Sequence, residues 1–431
     1  MRFLFCSFAS PGFLFPLVGL AHELRRRGHE TAFATGLGAV PVLAGEALPR
    51  IPRGDRDGDS FNPSLWYDPL SCALDVKHVE YAIARYHPDA LVTHHLCLSA
   101  LVAGERAGIP AAVLGSFTYL WPAARPAEVA VCSETVSRRE WRLDEGTRAL
   151  NEVRRLFRLD PMGAAPEENG FLGDLFMLRS VPLLERDWTA LPDRVHLVGP
   201  CTWEPATGDG SPAAAGAAWR DLEAHLALPD APIVYLNNGR SFGGPSFWPQ
   251  FVEGLADAPV QVVGSSGRMD AELGPLPGNF LIRTHIPHGL VMGRARAMAG
   301  SSHTAAVLGA LMHGLPSVLF PYGVDTLDNA ERLVDAGCAL AMDVPALTPG
   351  AARDAVERVL ADAPMRRNCA AACEALRAAH SFAPAAGLVE ELALGRAAGE
   401  AGFGTVALAG TATQRPRPGR PAAAERVPAT R

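Results

Sequence analysis

Two stretches of this 431-residue chain alternate short apolar segments with helical patterns, and a segment poor in large apolar residues separates them. In the first stretch, residues 3–8 are almost entirely apolar, and residues 16–27 carry leucine and alanine at helical spacing until Gly28. A short apolar segment of this kind is typical of a parallel strand that is buried on both faces. The alternation predicts an α/β fold built on doubly wound parallel sheets.

The separating segment covers residues 204–218 and is rich in glycine, proline and alanine, a composition typical of a linker. Strand and helix patterns resume after it. We therefore predict an N-terminal domain at 1–203 and a C-terminal domain at 219–380. A further helix at 381–397 can pack back on the N-terminal domain, and the Gly, Ala, Pro and Arg composition of residues 398–431 predicts disorder.

Charge and cysteine content exclude several classes of function. The formal net charge is −7 and no block of lysine and arginine stands out, so we expect no nucleic-acid partner. The eight cysteines are scattered without a CxxC pair, which predicts reduced, apolar packing rather than a zinc or redox centre. No apolar segment reaches the length of a membrane span, and the apolar N-terminus is interpreted as a buried strand of a cytoplasmic protein, not as a signal peptide.

Residues 314–333 carry the most specific pattern of the chain. The spacing G-x-P-x4-P-x-G-x-D-x3-N-A reads as a strand at 317–320, a tight turn and an acidic loop that opens a helix, and ligands of open α/β sheets bind at such strand ends. This spacing resembles the donor-sugar segment of the antibiotic-type, family 1, nucleotide-sugar-dependent glycosyltransferases. Residues 10–35 resemble that family's first strand, loop and helix, and the resemblance covers roughly residues 1–395.

The resemblance implies the GT-B fold, in which two Rossmann-like, doubly wound parallel-sheet domains face a cleft that binds the acceptor and the nucleotide sugar. Asp325 stands where the family has the Asp of an Asp-Gln pair that bonds sugar hydroxyls, and Thr326 stands at the Gln position. The shorter Thr326 favours a different or deoxygenated sugar. Asn329 resembles the amide residue beside this pair. Capping of the following helix by Asp325 or Asp328 is the alternative.

The diphosphate site departs from the family pattern, which is a His-Gly-Gly-x-Gly-Thr turn at the N-terminus of the preceding helix. An ungapped count places Ser301 at the histidine position and Ala306 at the threonine position. We still expect this helix terminus to bind phosphate, and a serine-capped packing helix is the alternative. The expected donors there are Ser301, Ser302, His303 and Thr304.

Two other loops imply further donor contacts. Asn238 and Gly239 resemble the family's Ser/Thr-x-Gly loop, and Arg240 beside them can reach a phosphate. His285 stands where the family has a tryptophan that stacks on the base. The backbone of the next residue, Ile286, can read the edge of the base.

The family's catalytic histidine is missing. Its pattern, G-H-x-x-P, begins here with Gly12 and Phe13, and a phenylalanine side chain cannot accept a proton. His94 and His95 follow the strand at 90–93, where the family has an aspartate, so we predict that one of them is the base, with His94 preferred by an ungapped count. The alternatives are two ordinary polar residues at a strand end, an acceptor that is already nucleophilic, and a protein that transfers nothing.

Aromatic residues are concentrated in residues 53–85 and 117–175, where the family has the wall of its acceptor pocket. Aromatic side chains that seal loops onto the core are the alternative interpretation. The expected acceptor-binding residues are Gly12, Phe13, Trp66, Phe117 and Trp121.

The resemblance thus implies an enzyme of the hexosyltransferase type in antibiotic biosynthesis. It would move a sugar, with inversion, from a dTDP- or UDP-sugar to an apolar natural-product aglycone. No metal or other cofactor is implied, since the nucleotide sugar is a co-substrate, and a homodimer or a partner enzyme stays open. The residues Phe13, Ser301 and Ala306 favour the rival hypothesis, a catalytically inactive glycosyltransferase-like ligand-binding or helper protein.

Overall fold

A computed structural model describes two parallel sheets and the helices that cover them. It describes residues 1–53, 60–62, 65–116, 135–163, 168–185, 191–205, 222–223, 225, 231–237, 247–265, 275–283, 286, 288–322 and 325–395, with side chains of the helix at 135–156 described from residue 140. The predicted site residues Phe117, Trp121, Asn238, Gly239, Arg240 and His285 lie outside these ranges, as do the tail at 398–431 and most of the predicted linker.

The first sheet is formed by the N-terminal part of the chain, and its described strand pairs are all parallel. The strand order is β2-β1-β3-β4-β5-β6. Alternate residues of β1 belong to different core clusters: Phe3 and Phe5 to one, and Leu4 and Cys6 to another. The sheet is therefore covered on both faces, as its apolar strands predict. The strands are β1 (Arg2–Ser7), β2 (Glu30–Thr35), β3 (Ala90–Thr93), β4 (Ala111–Gly115), β5 (Leu175–Leu178) and β6 (Val195–Leu197).

The second sheet has the order β12-β11-β10-β7-β8-β9, and its described pairs are also parallel. The two sheets confirm the predicted α/β fold with two doubly wound domains. The strands are β7 (Ile233–Asn237), β8 (Gln261–Ser265), β9 (Phe280–Arg283), β10 (Ala297–Gly300), β11 (Ser317–Leu319) and β12 (Ala339–Ala341).

Twelve helices are used below to locate side chains. Those beside the first sheet are α1 (Pro11–Arg26), α2 (Val40–Gly45), α3 (Pro69–Tyr86), α4 (Leu98–Ala107) and α5 (Thr135–Leu156). Those that follow β7 are α6 (Trp248–Leu255), α7 (His288–Met292), α8 (Thr304–Met312), α9 (Thr326–Asp335), α10 (Pro349–Ala361), α11 (Ala363–Ala378) and α12 (Ala383–Ala393).

Helix α1 begins at Pro11, five residues before the predicted start at residue 16. Proline is well accommodated in the first turn of a helix, where its missing N–H would have no intrahelical partner. Pro16 lies further inside and removes one backbone hydrogen bond, which is why the pattern predicted a start there. The earlier start places Gly12 and Phe13 in the first helical turn, directly after β1.

Helix α12 packs against the first sheet although it follows the second in the chain. Ala385 and Val389 are fully buried in the core cluster that also contains Phe3. The carboxylate of Glu390 accepts a hydrogen bond from Arg27 at 2.8 Å and lies 2.7 Å from Nε2 of His29. The chain therefore passes between the two sheets twice.

Helix α9 of the second sheet is joined to the first domain by two ion pairs. Asp328 lies 3.1 Å from Arg142 of α5, and these side chains are 1% and 7% exposed. One turn further, Arg332 lies 2.8 Å from Glu185, which follows β5. Because both pairs are largely buried, replacing one partner of either pair would take the ion-pair partner away from a buried charge and should destabilise the interface.

The N-terminal domain also contains a buried carboxyl group, Asp75, with a raised pKa. The carboxylate oxygens of Asp75 on α3 accept the backbone N–H of Phe61 at 3.1 Å. Burial raises the pKa of Asp75 to about 7, and the hydrogen bond from Phe61 and the charge of Arg53 oppose this rise. The folded protein therefore keeps a proton on Asp75 that the unfolded chain releases near pH 4.

We expect the free energy of unfolding to fall by roughly 2–4 kcal/mol between pH 4 and pH 7 because of this group. The sign follows from proton binding: the folded state binds more protons in this window, so stability is lost as the pH rises. Asp75→Asn should remove this slope in urea unfolding measured at several pH values. Asp68→Asn, a change at the N-cap of the same helix, should retain it, and an equal slope in Asp75→Asn would contradict the assignment.

The described residues also bear on three classes of structure considered from the sequence. None of their helices combines the length and apolar character needed to cross a membrane. They contain no group of three or more metal-ligating side chains placed to hold an ion. The seven cysteines among them are free thiols.

Candidate active site

A cleft of about 770 Å³ opens between the carboxyl ends of the strands of both sheets. One wall is formed by residues that follow β1, β3, β4 and β5. The other is formed by the ends of β7 and β8 and by the first residues of α7, α8 and α9. Side chains from several strands can converge here because strand ends of a parallel sheet meet at one edge.

The first wall brings together His95, Gly115 and Arg179, which lie at the ends of three neighbouring strands. Neighbouring strands are about 4.8 Å apart, so the ends of β3 and β5 are roughly 10 Å apart. The backbone N–H of Arg179 donates to the carbonyl of Gly115 at 3.0 Å. A Cβ atom on Gly115 would lie 2.6 Å from the ring of Phe176 and 3.1 Å from Nδ1 of His95, so this glycine makes room for both rings beside β4.

His94, the preferred base in the sequence analysis, has both ring nitrogens directed at the backbone. Nε2 is 3.2 Å from the N–H of Phe8 and Nδ1 is 3.3 Å from the N–H of Leu96. A neutral imidazole has one accepting nitrogen, so one of these amides uses its lone pair. Burial, and then the neighbouring His95, hold the pKa of His94 well below its usual value. The geometry therefore argues against His94 as the base.

His95 lies beside it on the same wall and is also nearly fully buried. Burial lowers the pKa of His95 to about 4; the carboxylate of Asp325 opposes this shift, and Arg142 and Arg179 add to it. The ring is therefore neutral near pH 7 and a weak base. Between the two histidines, the structure favours His95 for contact with an acceptor, and its catalytic role stays a prediction.

Arg179 was not found by sequence reasoning, although it follows an apolar strand in the same way as the two histidines. It is 7% exposed and lines the cleft. Its Nε donates to the carbonyl of Pro200 at 3.1 Å. Burial lowers the pKa of Arg179 to about 10, and Cys201 and Asp325 oppose that shift. The guanidinium remains charged at neutral pH and adds a cation to this wall.

Phe13 stands at the position of the family's catalytic histidine and makes an aromatic contact there. Its ring stacks on that of His94, with centroids 4.3 Å apart and planes at 23°. Phe8 contacts both rings edge-on. Gly12 and Phe13 both line the cleft, as the sequence predicted for the acceptor side, and the aromatic stack fixes the position of His94.

Trp66 is a correction to the predicted acceptor wall. It is not among the described residues that line the cleft, and it packs on the core cluster containing Phe61 and Cys72. The backbone carbonyl of Trp66 accepts a hydrogen bond from the Cys72 thiol at 3.0 Å. The alternative interpretation, an aromatic residue that seals a loop onto the core, describes this position.

Asp325 organises the second wall. It does not cap its own helix, α9; its carboxylate instead accepts hydrogen bonds from the N–H of Thr304 at 2.9 Å and from its hydroxyl at 2.5 Å. His303 Nδ1 lies 3.3 Å away. Burial would raise the pKa of Asp325, but the hydrogen bonds and charge of His303 and the bonds from Thr304 outweigh burial and hold it well below its usual value. An ionised carboxylate therefore stands at the N-terminus of α8.

Asn329 supports this cluster from one turn into α9. Its amide donates to the carbonyl of Ser302 at 2.8 Å and to the Thr304 hydroxyl at 3.0 Å. It also lies 3.2 Å from the Asp325 carboxylate. Asn329 is nearly buried, so it positions the residues that face the cleft rather than facing the cleft itself.

Three other predicted donor residues are engaged inside the fold. The hydroxyl of Ser302 donates to the carbonyl of Thr326 at 2.7 Å, and the Thr326 hydroxyl accepts the N–H of Tyr322 at 2.8 Å. Ser301 is buried, and like Ser302 and Thr326 it is not among the described residues of the cleft wall. The expected direct contact of these three residues with the nucleotide sugar is therefore corrected, because their hydroxyls are hydrogen-bonded or enclosed inside the fold.

The remaining residues of the second wall, and one that contacts them, include three that the sequence analysis missed: Asn237, His288 and Tyr235. Ile286 was predicted. The side chain of Ile286 is buried in the second core, which leaves only its backbone for the predicted contact with a base. Asn237 and His288 line the cleft, and Nδ1 of His288 lies 3.1 Å from the Tyr235 hydroxyl. Asn237 ends an apolar strand, so its position at a strand end was the available signal.

Comparisons with known proteins point in one direction. Residues 254–391 match the family described as "Erythromycin biosynthesis protein CIII-like, C-terminal domain". The chain is 28% identical to the 3-alpha-mycarosylerythronolide B desosaminyl transferase of Saccharopolyspora erythraea, over 92% of this chain and 99% of the relative. It is 23% identical to the 4'-demethylrebeccamycin synthase of Lentzea aerocolonigenes, over 91% and 99%.

Solved structures agree on the fold. The glycotransferase of kitacinnamycin superposes with a TM-score of 0.68 at 22% identity, covering 90% of this chain and 98% of that one. The calicheamicin glycosyltransferase CalG4 gives a TM-score of 0.64 at 23% identity, covering 92% and 98%. Both relatives that align along almost the whole chain are named as enzymes, so the helper hypothesis is not favoured. The family match, these relatives and the two facing sheets make the chain similar to the family 1, antibiotic-type glycosyltransferases and show that it has their GT-B fold.

Proposed function

We propose that this enzyme transfers a sugar from a dTDP- or UDP-sugar to an apolar natural-product aglycone, with inversion at the anomeric carbon. The single observation that carries the proposal is the opposition of two walls across one cleft. His95 and Arg179 stand on the first wall, and the Asp325 cluster at the N-terminus of α8 stands on the second. An acceptor and a donor bound to the two walls would meet in this cleft.

The donor side is supported by the helix terminus and the ionised carboxylate. Thr304, Ala305 and Ala306 form the first turn of α8 and line the cleft. Asp325 uses the amide of Thr304, which leaves the amides of Ala305 and Ala306 and the positive end of the helix dipole for a diphosphate. The Asp325 carboxylate is a strong acceptor for sugar hydroxyl groups.

Inversion is supported by the state of the carboxylates in the cleft. Retention through a covalent intermediate needs a carboxylate that is available as a nucleophile. The carboxylates among the described cleft residues are Glu204 and Asp325. Glu204 accepts the backbone N–H groups of His288 and Gly289, and Asp325 accepts that of Thr304. Both carboxylates are hydrogen-bonded to backbone amides and are therefore poorly available as nucleophiles. This favours a single displacement, in which the acceptor attacks the anomeric carbon directly and inverts it.

The acceptor side is supported by its apolar surfaces. Phe13, Phe15 and Trp203 line the part of the cleft nearest α1. One relative that aligns along almost the whole chain is named a 3-alpha-mycarosylerythronolide B desosaminyl transferase, and another a 4'-demethylrebeccamycin synthase. An apolar aglycone of this general kind would bury its surface against these rings.

Isothermal calorimetry with UDP and dTDP tests the proposal directly. We expect wild type to bind one of them in the micromolar range, and Ala305→Asp to weaken that binding at least about tenfold, because its carboxylate would face the diphosphate. An acidic residue in a first helical turn does not disfavour the helix, and Ala305→Asn is the matched neutral control.

Two outcomes would count against the proposal. Absence of binding of either nucleotide at millimolar concentration in wild type would refute the donor site. Equal nucleotide affinity of Ala305→Asp and Ala305→Asn would show that the diphosphate does not bind at the N-terminus of α8. Where turnover is obtained, the anomeric configuration of donor and product, compared by NMR, reports on inversion.

A further inference from the structure

Arg179 is a buried cation without a bonded anion. It is 7% exposed, its Nε donates to the Pro200 carbonyl, and its Nη groups have no hydrogen-bond partner among the described residues. The guanidinium lines the cleft, so its remaining donors are available to a molecule bound there. A largely desolvated charge is costly unless an anion pairs with it, and the fork of an arginine matches the two oxygens of a carboxylate.

The surroundings of Arg179 place such an anion on the acceptor side. The backbone of Arg179 is bonded to Gly115, and Gly115 abuts His95. These residues end three adjacent strands of the first sheet, whereas the terminus of α8 belongs to the second. The ring of Phe176 and Nδ1 of His95 lie where a side chain of Gly115 would be, and His95 and Arg179 both face the cleft from the strands on either side of it.

Phe13, His94 and His95, the described candidates for a base on the same wall, are poorly suited to accept a proton. Phe13 cannot accept a proton, and the lone pair of His94 is used by a backbone amide. His95 is neutral with a depressed pKa, so it is a poor proton acceptor for an alcohol. The arrangement suits an oxygen that carries no proton when it binds.

We propose that the acceptor of this enzyme presents an oxyanion, from a carboxylic acid or an acidic phenol, which Arg179 binds beside His95. The inference rests on the proposed transferase function and specifies its acceptor class. In the transfer, a lone pair of the acceptor oxygen forms the new bond to the anomeric carbon. The bond from that carbon to the diphosphate oxygen breaks, and its electron pair leaves with the nucleoside diphosphate. No proton passes to the protein.

Matched ligands test this by calorimetry. The probes are 2-naphthoate and 2-naphthamide, which share one shape but differ in charge, together with 4-nitro-1-naphthol and 1-naphthol for the phenol source. We expect wild type to bind 2-naphthoate, the acidic nitronaphthol or both at least about tenfold more tightly than the neutral partner. Arg179→Met should abolish this preference and Arg179→Lys should retain part of it. Arg85→Met, at an exposed position of α3, should leave it unchanged.

Titrations of the same variants with UDP and dTDP distinguish between the two anions that Arg179 can bind, the acceptor oxyanion and the nucleotide diphosphate. The proposal expects nucleotide affinity to stay within about twofold of wild type in Arg179→Met. A large loss of nucleotide binding in that variant would overturn the proposal and place Arg179 at the diphosphate. Equal affinity for the charged and neutral probes in wild type, or no binding of any probe at millimolar concentration, would also overturn it.

The same titrations distinguish failure of this inference from failure of the transferase proposal. Wild type that binds neither nucleotide contradicts the donor site, whatever the naphthoate result. Wild type that binds a nucleotide but shows no Arg179-dependent preference for an anion contradicts only the acceptor class. With a bound donor, a glycosyl ester or aryl glycoside detected by mass spectrometry would complete the support.

Discussion

Asp325→Ala is expected to lower the rate of sugar transfer at least about 100-fold and to reduce the free energy of unfolding by about 3 kcal/mol. The carboxylate accepts hydrogen bonds from the amide and hydroxyl of Thr304 and lies within bonding distance of Asn329. Alanine would leave these donors without their acceptor and would remove the proposed contact with the sugar. Transfer assays and urea unfolding measure the two effects separately.

Asp325→Asn separates charge from shape at this position. The depressed pKa of Asp325 means that its contribution to stability is present above about pH 4, the unfolded value, and is lost as the pH falls below it. The difference in unfolding free energy between wild type and Asp325→Asn should therefore be full at neutral pH and shrink in acid. Asp354→Asn, at an exposed position of α10, is the control. Unchanged stability and transfer in Asp325→Ala would contradict the assigned role.

Asp328→Ala is expected to reduce the free energy of unfolding by roughly 3–5 kcal/mol, because it leaves the Arg142 guanidinium buried without its anion. The pair joins α9 to α5 across the two domains. Urea unfolding should show the loss as a lower midpoint. Arg142→Met should also destabilise the protein, because the buried Asp328 carboxylate would lose its ion-pair partner.

The double variant Arg142→Met/Asp328→Leu gives the sharper result. It removes both charges, so its free energy of unfolding should be far closer to that of wild type than that of either single variant. The double-mutant cycle should therefore yield a coupling energy of about 2 kcal/mol or more. The exposed pair Arg353 and Glu357 on α10 is the matched control, and its coupling should be about 0.5 kcal/mol or less. Single variants at Arg142 and Asp328 within about 1 kcal/mol of wild type would contradict a buried ion pair.

Sequence patterns were sufficient for the two sheets because each parallel strand is buried on both faces and is therefore written as a short apolar segment. The start of α1 was missed because proline at residue 16 is usually read as a boundary, whereas here it lies within the helix. The position of Asp325 at the mouth of a cleft also followed from its strand end. Its actual partners did not, since Thr304 is 21 residues away and meets it only when β10 and β11 pair.

The choice between His94 and His95 shows a second limit. Adjacent residues in a turn point in different directions, and an ungapped count cannot tell which ring nitrogen meets a backbone amide. Arg179 shows a third, because an arginine after an apolar strand has no pattern that separates an exposed charge from a buried one. Its burial depends on Pro200 and Gly115, which the sheet brings to it from distant parts of the sequence.

The placement of α12 sets the order in which the molecule can be completed during synthesis. Ala385 and Val389 are part of the core beneath the first sheet, yet they leave the ribosome after every strand of the second. Domains usually mature in the order of translation. Here the N-terminal domain keeps an open apolar groove until α12 has been synthesised, so the domain that is translated first is completed only after the strands of the second sheet.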